Sequence, residues 1–360
     1  MLHPVQLDPS LIGQSLPWDL YSDSGVLVAG ADTLIADEAH YIRLIGRPLY
    51  RQQSTAPEAG HCLDRLAQLA GEADTLLGGP PELLSAEALA QLGRELARTY
   101  SMHPDACLGY PRLVPLARPD INHALLVLFT CLLVADQLEL SEEERLGLAG
   151  AALTMNLTDP DIHAARIVSA GADGEAERAR LIAHPLRAAD FLRELGLDDA
   201  VWLEAVRQHH ENMDGSGYPE GREGAHISLP ARILRVVDAY VTRISGRHYR
   251  PPRAMRYALR ELYGPRRGLI DNQIAVLLLR RMGLYPPGTL LRLASREHAC
   301  VTRRSRNSFI RFAVSFMDGR GRPFDPPRER DLGTRAHRPR GTLSVDPAWP
   351  HIEWRHLWGY

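Results

Sequence analysis

The stretch His209–Gly221 reads HHENMDGSGYPEG. Two adjacent histidines and a glutamate end a helical pattern, and a glycine-rich turn carrying Tyr218 and Pro219 follows at once. Gly215 and Gly217 permit positive φ and close backbone approach, and Tyr218 offers a ring face for stacking and a hydroxyl for bonding. Outward from this stretch, His184 stands before Pro185, His123 opens an upstream helical pattern, and Asp238 lies in the middle of LPARILRVVDAYVTRISGR. Neutral imidazoles and a carboxylate drawn from four helices are a ligand set for a borderline divalent metal such as Fe, Mn or Zn. Any one of these histidines alone reads as an ordinary surface or core residue. The adjacent pair beside a Gly-Tyr-Pro loop is what sets them apart.

Apolar periodicity predicts helices over 120–138, 142–156, 174–193, 199–211, 229–245, 251–263 and 271–283. Ser141 ahead of three glutamates has the chemistry of a helix start. Two more helices are predicted upstream in HCLDRLAQLAGEADTLL and SAEALAQLGRELARTY, separated by the GGPPE break. Residues 1–55 are different: WDLY, GVLVA and GADTLIA read as short strands, and DEAHYIRLI as a short helix. From Tyr285 the chain breaks again into short alternating pieces, and a Pro/Arg-rich tail begins near 322. The expected fold is mainly α: an all-helical bundle at 111–285, a small N-terminal α/β or β module at 1–55, a helical linker at 56–110, and a short C-terminal β appendage with its tail at 286–360.

The formal net charge of −2 gives bulk electrostatics no reason to draw nucleic acid or a membrane. The longest apolar run, ALLVLFTCLLVA at Ala124–Ala135, is shorter than the roughly 18 residues of a membrane span and reads as a core helix. The four cysteines form no CxxC pair, which suits reduced thiols in a cytoplasm, the expected location. All 42 basic residues are arginines, so any chemistry that needs a lysine is excluded.

HHENMDGSGYPEG resembles the signature of HD-GYP domains, the all-helical phosphodiesterases of the HD superfamily that open cyclic di-GMP. AHPLRAADFL around His184 is similar to the family's HP segment. ARILRVVDAYVTRISGRHYRPP resembles its aspartate helix and following arginine/tyrosine turn, and YPPGTLLRL its C-terminal exit. The resemblance spans residues 115–295 and implies metal ligation by His123, His184, His209, His210 and Asp238. It further implies proton transfer by Glu211 or Asp238, and substrate contacts from Gly217, Tyr218, Pro219, Arg247 and Tyr249.

The position expected to hold the family's His-Asp pair lies in GAALTMNLTDPDIHA, where Met155 and Asn156 stand 29 and 28 residues before His184. Asp159 occupies the family's lysine position. A thioether and a neutral amide cannot replace a bridging carboxylate between two ions roughly 3.5–4 Å apart. The nearby Asp161 and His163 read as loop residues rather than substitutes. These residues lead to the expectation of a divergent branch with a degenerate metal site, holding at most one divalent metal per chain or none. Hydrolysis would be lost or weak, and the chain would act as a signalling module binding cyclic di-GMP, a related nucleotide or a signalling protein partner. The alternative is an active phosphohydrolase with a mononuclear site on His184, His209 and His210; a further alternative is a helical bundle that keeps the motif for packing alone.

Overall fold

In the computed structural model the chain divides into two units, Met1–Ala59 and Gly60–Tyr360. The structure describes residues 2–4, 7, 11–14, 16, 20–22, 27–30, 33–46, 48–52, 62–114, 118–159, 174–244, 268–304, 311–346, 348–350, 352 and 354–358.

In the first unit, β1 (Leu2–Pro4), β2 (Leu20–Tyr21), β3 (Leu27–Ala29) and β4 (Tyr50–Gln52) form an antiparallel sheet in the order β1-β4-β2-β3. Helix α1 (Glu38–Ile45) starts where the Asp37 carboxylate accepts the His40 amide, satisfying an orphan donor of the first turn. Its buried Tyr41 and Leu44, three residues apart, pack with Leu7, Leu16, Leu20, Ile35 and Leu49. The Tyr41 hydroxyl, buried with them, donates to the Leu7 carbonyl at 2.8 Å. This is the small N-terminal β module the sequence predicts.

The second unit begins with α2 (Cys62–Gly78), α3 (Ala86–Met102) and α4 (Pro104–Leu113), followed by α5 (Pro119–Gln137) and α6 (Glu142–Thr154). Every residue from Leu125 to Ala135 of α5 is buried, so neighbouring helices cover it all round. By length and composition α5 could cross a membrane, yet 72% of its apolar window is buried inside the protein. It is the axis of the core, against which α4 and α6 pack on either side of the chain order. Ser141 and Glu144 form a full capping box at the start of α6.

The bundle continues with α7 (Gly174–Glu194), α8 (Ala200–Gln208), α9 (Leu229–Ile244) and α10 (Asn272–Met282). The predicted helix at 251–263 lies outside the described residues. Helix α4, which the sequence reading does not assign, starts with Pro104 in its first turn and carries Pro111 in its last, where the broken ladder costs little.

Strands β5 (Leu290–Leu293), β6 (His298–Cys300), β7 (Phe312–Met317), β8 (Pro323–Asp331) and β9 (Pro339–Leu343) form an antiparallel sheet ordered β8-β7-β6-β5-β9. The Pro/Arg-rich stretch expected as a tail from 322 therefore supplies both edge strands. An edge is where PFDPPRERD can sit, because its prolines need not donate outward. Between strands, Glu297 accepts from Arg330 at 2.7 and 3.1 Å and from the Ser315 hydroxyl at 2.7 Å. Burial pushes that carboxyl up, but these donors outweigh it and hold it below the usual range. Cys300 and Phe316 extend the helical core into this sheet, and burial pushes the Cys300 thiol up to about 12.

Candidate metal centre

His209 and His210 follow directly on the last turn of α8, and His184 sits in the middle of α7, which packs against α8. All three are buried, and their candidate ligand atoms lie within 4.8 Å of one another. The orientation of two rings is fixed from behind. His184 Nδ1 is 2.6 Å from the Leu181 carbonyl and His209 Nδ1 is 2.6 Å from the Val206 carbonyl. Each Nδ1 must carry its hydrogen to bond a carbonyl, which leaves the Nε2 lone pairs facing one another at 3.1 Å.

Two lone pairs so placed repel unless a proton or a cation lies between them. Nitrogens each about 2.0–2.1 Å from a shared ion and 3.1 Å apart subtend an angle near ~100°, which suits tetrahedral or octahedral coordination. His210 lies beside His209 with ring centroids 4.1 Å apart and the ring planes inclined at 43°. Carbonyl-backed imidazoles are the outer-shell arrangement that metal-ligating histidines use. The donor set therefore fits one divalent cation.

The Gly-Tyr-Pro loop closes over this cluster. Tyr218 stands 4.8 Å from His210 and 6.4 Å from His184 by ring centroids, and its amide donates to the His210 carbonyl at 3.2 Å. Glu211, buried at the loop base, accepts the Glu220 amide at 2.7 Å and the Arg222 amide at 3.0 Å, one on each carboxylate oxygen. Arg207 bonds the Glu220 carboxylate and, with Arg222, holds its carboxyl below the usual range. Gly217 passes so close to the loop start that an added Cβ would meet Asn212 N at 2.3 Å and Glu211 Cα at 2.5 Å. Both obstacles are backbone, so only movement of the loop can relieve the clash. Gly217→Ala is accordingly expected to displace the loop with Tyr218 and to destabilise the protein by about 1–3 kcal/mol, the range for overpacking a close contact. Thermal denaturation measures it; an unchanged melting temperature would show that the close approach is not needed.

His123 on α5 and Asp238 on α9 form a buried pair, His123 Nε2 standing 3.0 Å from Asp238 Oδ1. A small cavity of about 30 Å³, room for roughly one water, lies against His123, Met155, Asn156, Arg118 and Asp120. Pro219 is partly exposed next to Tyr218 in the same loop. Arg247, Tyr249, Asp161 and His163 lie outside the described residues.

The family model described as HD domain matches residues 79–274, more than half of the chain. The chain belongs to the HD-domain family. Among curated relatives, this HD-domain chain is 28% identical over 260 residues to a cyclic di-GMP phosphodiesterase of Pseudomonas aeruginosa, covering 71% of the chain and 61% of that protein. It is 36% identical over 150 residues to the cyclic di-GMP phosphodiesterase response regulator RpfG of Xanthomonas campestris, covering 41% of the chain and 39% of that protein. The chain thus spans less than two thirds of the length of either relative. Its fold is also similar to the solved structure of an HDG"Y"P protein from Bdellovibrio bacteriovorus, with a TM-score of 0.50 at 16% identity over 77% of the chain and 98% of that protein.

These findings correct the expectation of a Met-Asn-substituted branch with a degenerate centre. That expectation made the metal site depend on residues 155 and 156. The HD-domain chain instead builds a compact cluster from His184, His209 and His210, on α7 and at the end of α8. Met155 ends α6 with its side chain in the hydrophobic core, and neither it nor Asn156 belongs to the three-histidine cluster. The expectation of lost or weak hydrolysis in a mere binding module rested on that supposed damage and falls with it.

Asp159, which occupies the family's lysine position, is fully buried and accepts on both oxygens from Arg180 and Arg187. The sequence reading passed over both arginines. Their spacing was the available signal: positions 180, 184 and 187 are i, i+4 and i+7 on one helix, a single stripe that includes His184.

Proposed function

We propose that this chain is a metal-dependent phosphodiesterase that opens a cyclic dinucleotide of the cyclic di-GMP class with one divalent cation on His184, His209 and His210. The observation that carries the reading is the facing pair of Nε2 atoms, 3.1 Å apart, on rings whose Nδ1 atoms are already committed to carbonyls. Imidazole donors favour Zn or Fe over hard cations. The substrate class is supported by the two curated relatives, both of them cyclic di-GMP phosphodiesterases.

When bound, the cation supplies the positive charge that polarises a phosphoryl oxygen and acidifies a water. The protein's residues do the remaining work. Asp238 Oδ1 and His123 Nε2, 3.0 Å apart and buried, form the hydrogen-bonded carboxylate–imidazole pair to which the proton transfer between water and the leaving oxygen is assigned. Glu211 has both oxygens bonded to loop amides, and its part is to hold the loop rather than to move a proton. Tyr218 presents its ring beside the cluster as a stacking face for a base, while Gly217 and Pro219 shape the loop around it. Closure of this loop over the histidines keeps bulk water from the reacting phosphate.

The test is metal content and cyclic di-GMP turnover measured on one preparation. About one tightly bound transition metal per chain is expected, as for mononuclear three-histidine sites, together with conversion to the linear dinucleotide that stops on chelation and returns with Fe, Mn or Zn. A preparation that binds metal in that ratio yet leaves the phosphodiester intact would refute the enzymatic reading.

A further inference from the structure

The buried Asp159 and its two arginines have no part in the chemistry described so far. Asp159 follows the end of α6, its amide donating to the Asn156 carbonyl at 2.9 Å, and its side chain is 0% exposed. A carboxylate taken this far from water needs strong compensation. Arg180 supplies it through Nε at 3.0 Å and through a short second bond from its terminal nitrogen, and Arg187 adds a bond at 2.8 Å. Three N–H groups satisfy the acid, yet two guanidinium groups carry ten.

The remaining donors are not buried. The Arg180 and Arg187 side chains are 42% and 45% exposed. Glu177 reaches Arg180 only at 3.6 Å, a surface pair one helical turn away that adds little. Asp159 therefore fixes two solvent-facing cations on the same stripe of α7 as His184 of the three-histidine cluster. Holding them in place removes rotamer freedom that binding would otherwise have to quench. Planar guanidinium forks match the oxygens of a phosphate in a way a single ammonium cannot, and this chain has no lysine to offer.

We propose that Arg180 and Arg187, held in register by the buried carboxylate of Asp159, form the phosphate-reading pair of this site, with Asp159 as their positioning residue. The inference rests on the phosphodiesterase reading for the identity of the substrate, but its test does not. Inorganic phosphate is titrated calorimetrically into metal-free protein, so that neither the cation nor turnover enters the result. One charge-assisted contact corresponds to about a tenfold change in affinity, so Arg180→Gln and Arg187→Gln are each expected to weaken phosphate binding roughly 10-fold and the double variant roughly 100-fold. Arg187→Lys keeps the charge but loses the fork, and should recover only part of the loss. On the loaded enzyme, the same variants should raise KM for cyclic di-GMP while kcat and metal content stay close to wild type. A pair that merely braces the fold would lower thermal stability and leave phosphate affinity unchanged, and that result overturns the proposal. So does an absence of phosphate binding by the wild type. Phosphate affinity that depends on the arginines, in a protein that turns over no cyclic dinucleotide, would keep this pair and sink the substrate assignment.

Discussion

His209→Ala is expected to bring metal content from about one per chain to a trace and to lower turnover at least ~100-fold, the upper range for losing even an outer-shell partner. His209 is fully buried, its Nδ1 is held by the Val206 carbonyl, and its Nε2 is 3.1 Å from that of His184. No described neighbour in the three-histidine cluster can take its place, because His184 and His210 are already members. The stability signature is more telling than the activity. A ligand present at 100 times its Kd stabilises the folded state by about 2.7 kcal/mol, so wild-type protein should gain that much on metal addition and the variant almost nothing. Without metal the variant should melt close to wild type, since the substitution also removes one of two facing lone pairs. His226, exposed on the following turn, provides the control: His226→Ala should keep its metal. Full metal occupancy in the His209 variant would show that the ion sits elsewhere.

The helices were legible because their signals are local. Ser141 with Glu144, the alternation of apolar residues in α9 and the uninterrupted apolar centre of α5 each report an element from a dozen residues or fewer. The histidine pair and its loop were legible for the same reason. What failed was inference across the chain. Counting back from His184 to residue 155 assumed that the metal site required the residues at that position, whereas Met155 packs in the core and the ligand cluster forms without it. Asp159 looked anomalous because its partners, Arg180 and Arg187, are more than twenty residues away and meet it only after folding. That the Glu211 carboxylate accepts two loop amides was equally out of reach, because the Glu220 and Arg222 amides meet it only once the loop has closed. The strands β8 and β9 were hidden by prolines that a central strand would not tolerate and an edge strand does.

Trp202→Ala is expected to destabilise the second unit by about 3–5 kcal/mol, the range for emptying a buried aromatic site. With Val201, which lies against Gly147, the indole joins α8 to α6. Its ring lies so close over Gly150 that a Cβ there would meet it at 2.4 Å, and its Nε1 donates to the Thr154 hydroxyl at 2.8 Å. That hydroxyl donates in turn to the Gly150 carbonyl at 2.8 Å, so glycine, threonine and tryptophan form one interlocked contact. Alanine would remove the ring and leave a void between two helices that are rigid along their length. Trp202→Phe separates the two contributions: it keeps most of the bulk but loses the hydrogen bond, and should cost about 1–3 kcal/mol for the unsatisfied buried acceptor. Chemical denaturation followed by far-ultraviolet circular dichroism measures both, since it does not rely on the indole being removed. The functional consequence follows from chain order. Trp202 lies seven residues before His209 on α8, and its seat on α6 sets the height at which His209 meets His184. The alanine variant should therefore bind metal more weakly as well as unfold more readily, while the phenylalanine variant keeps its metal. If Trp202→Ala lost stability yet kept wild-type metal affinity, the position of the histidines would have to be fixed by α7 and the Gly-Tyr-Pro loop instead of by the packing of α8 on α6.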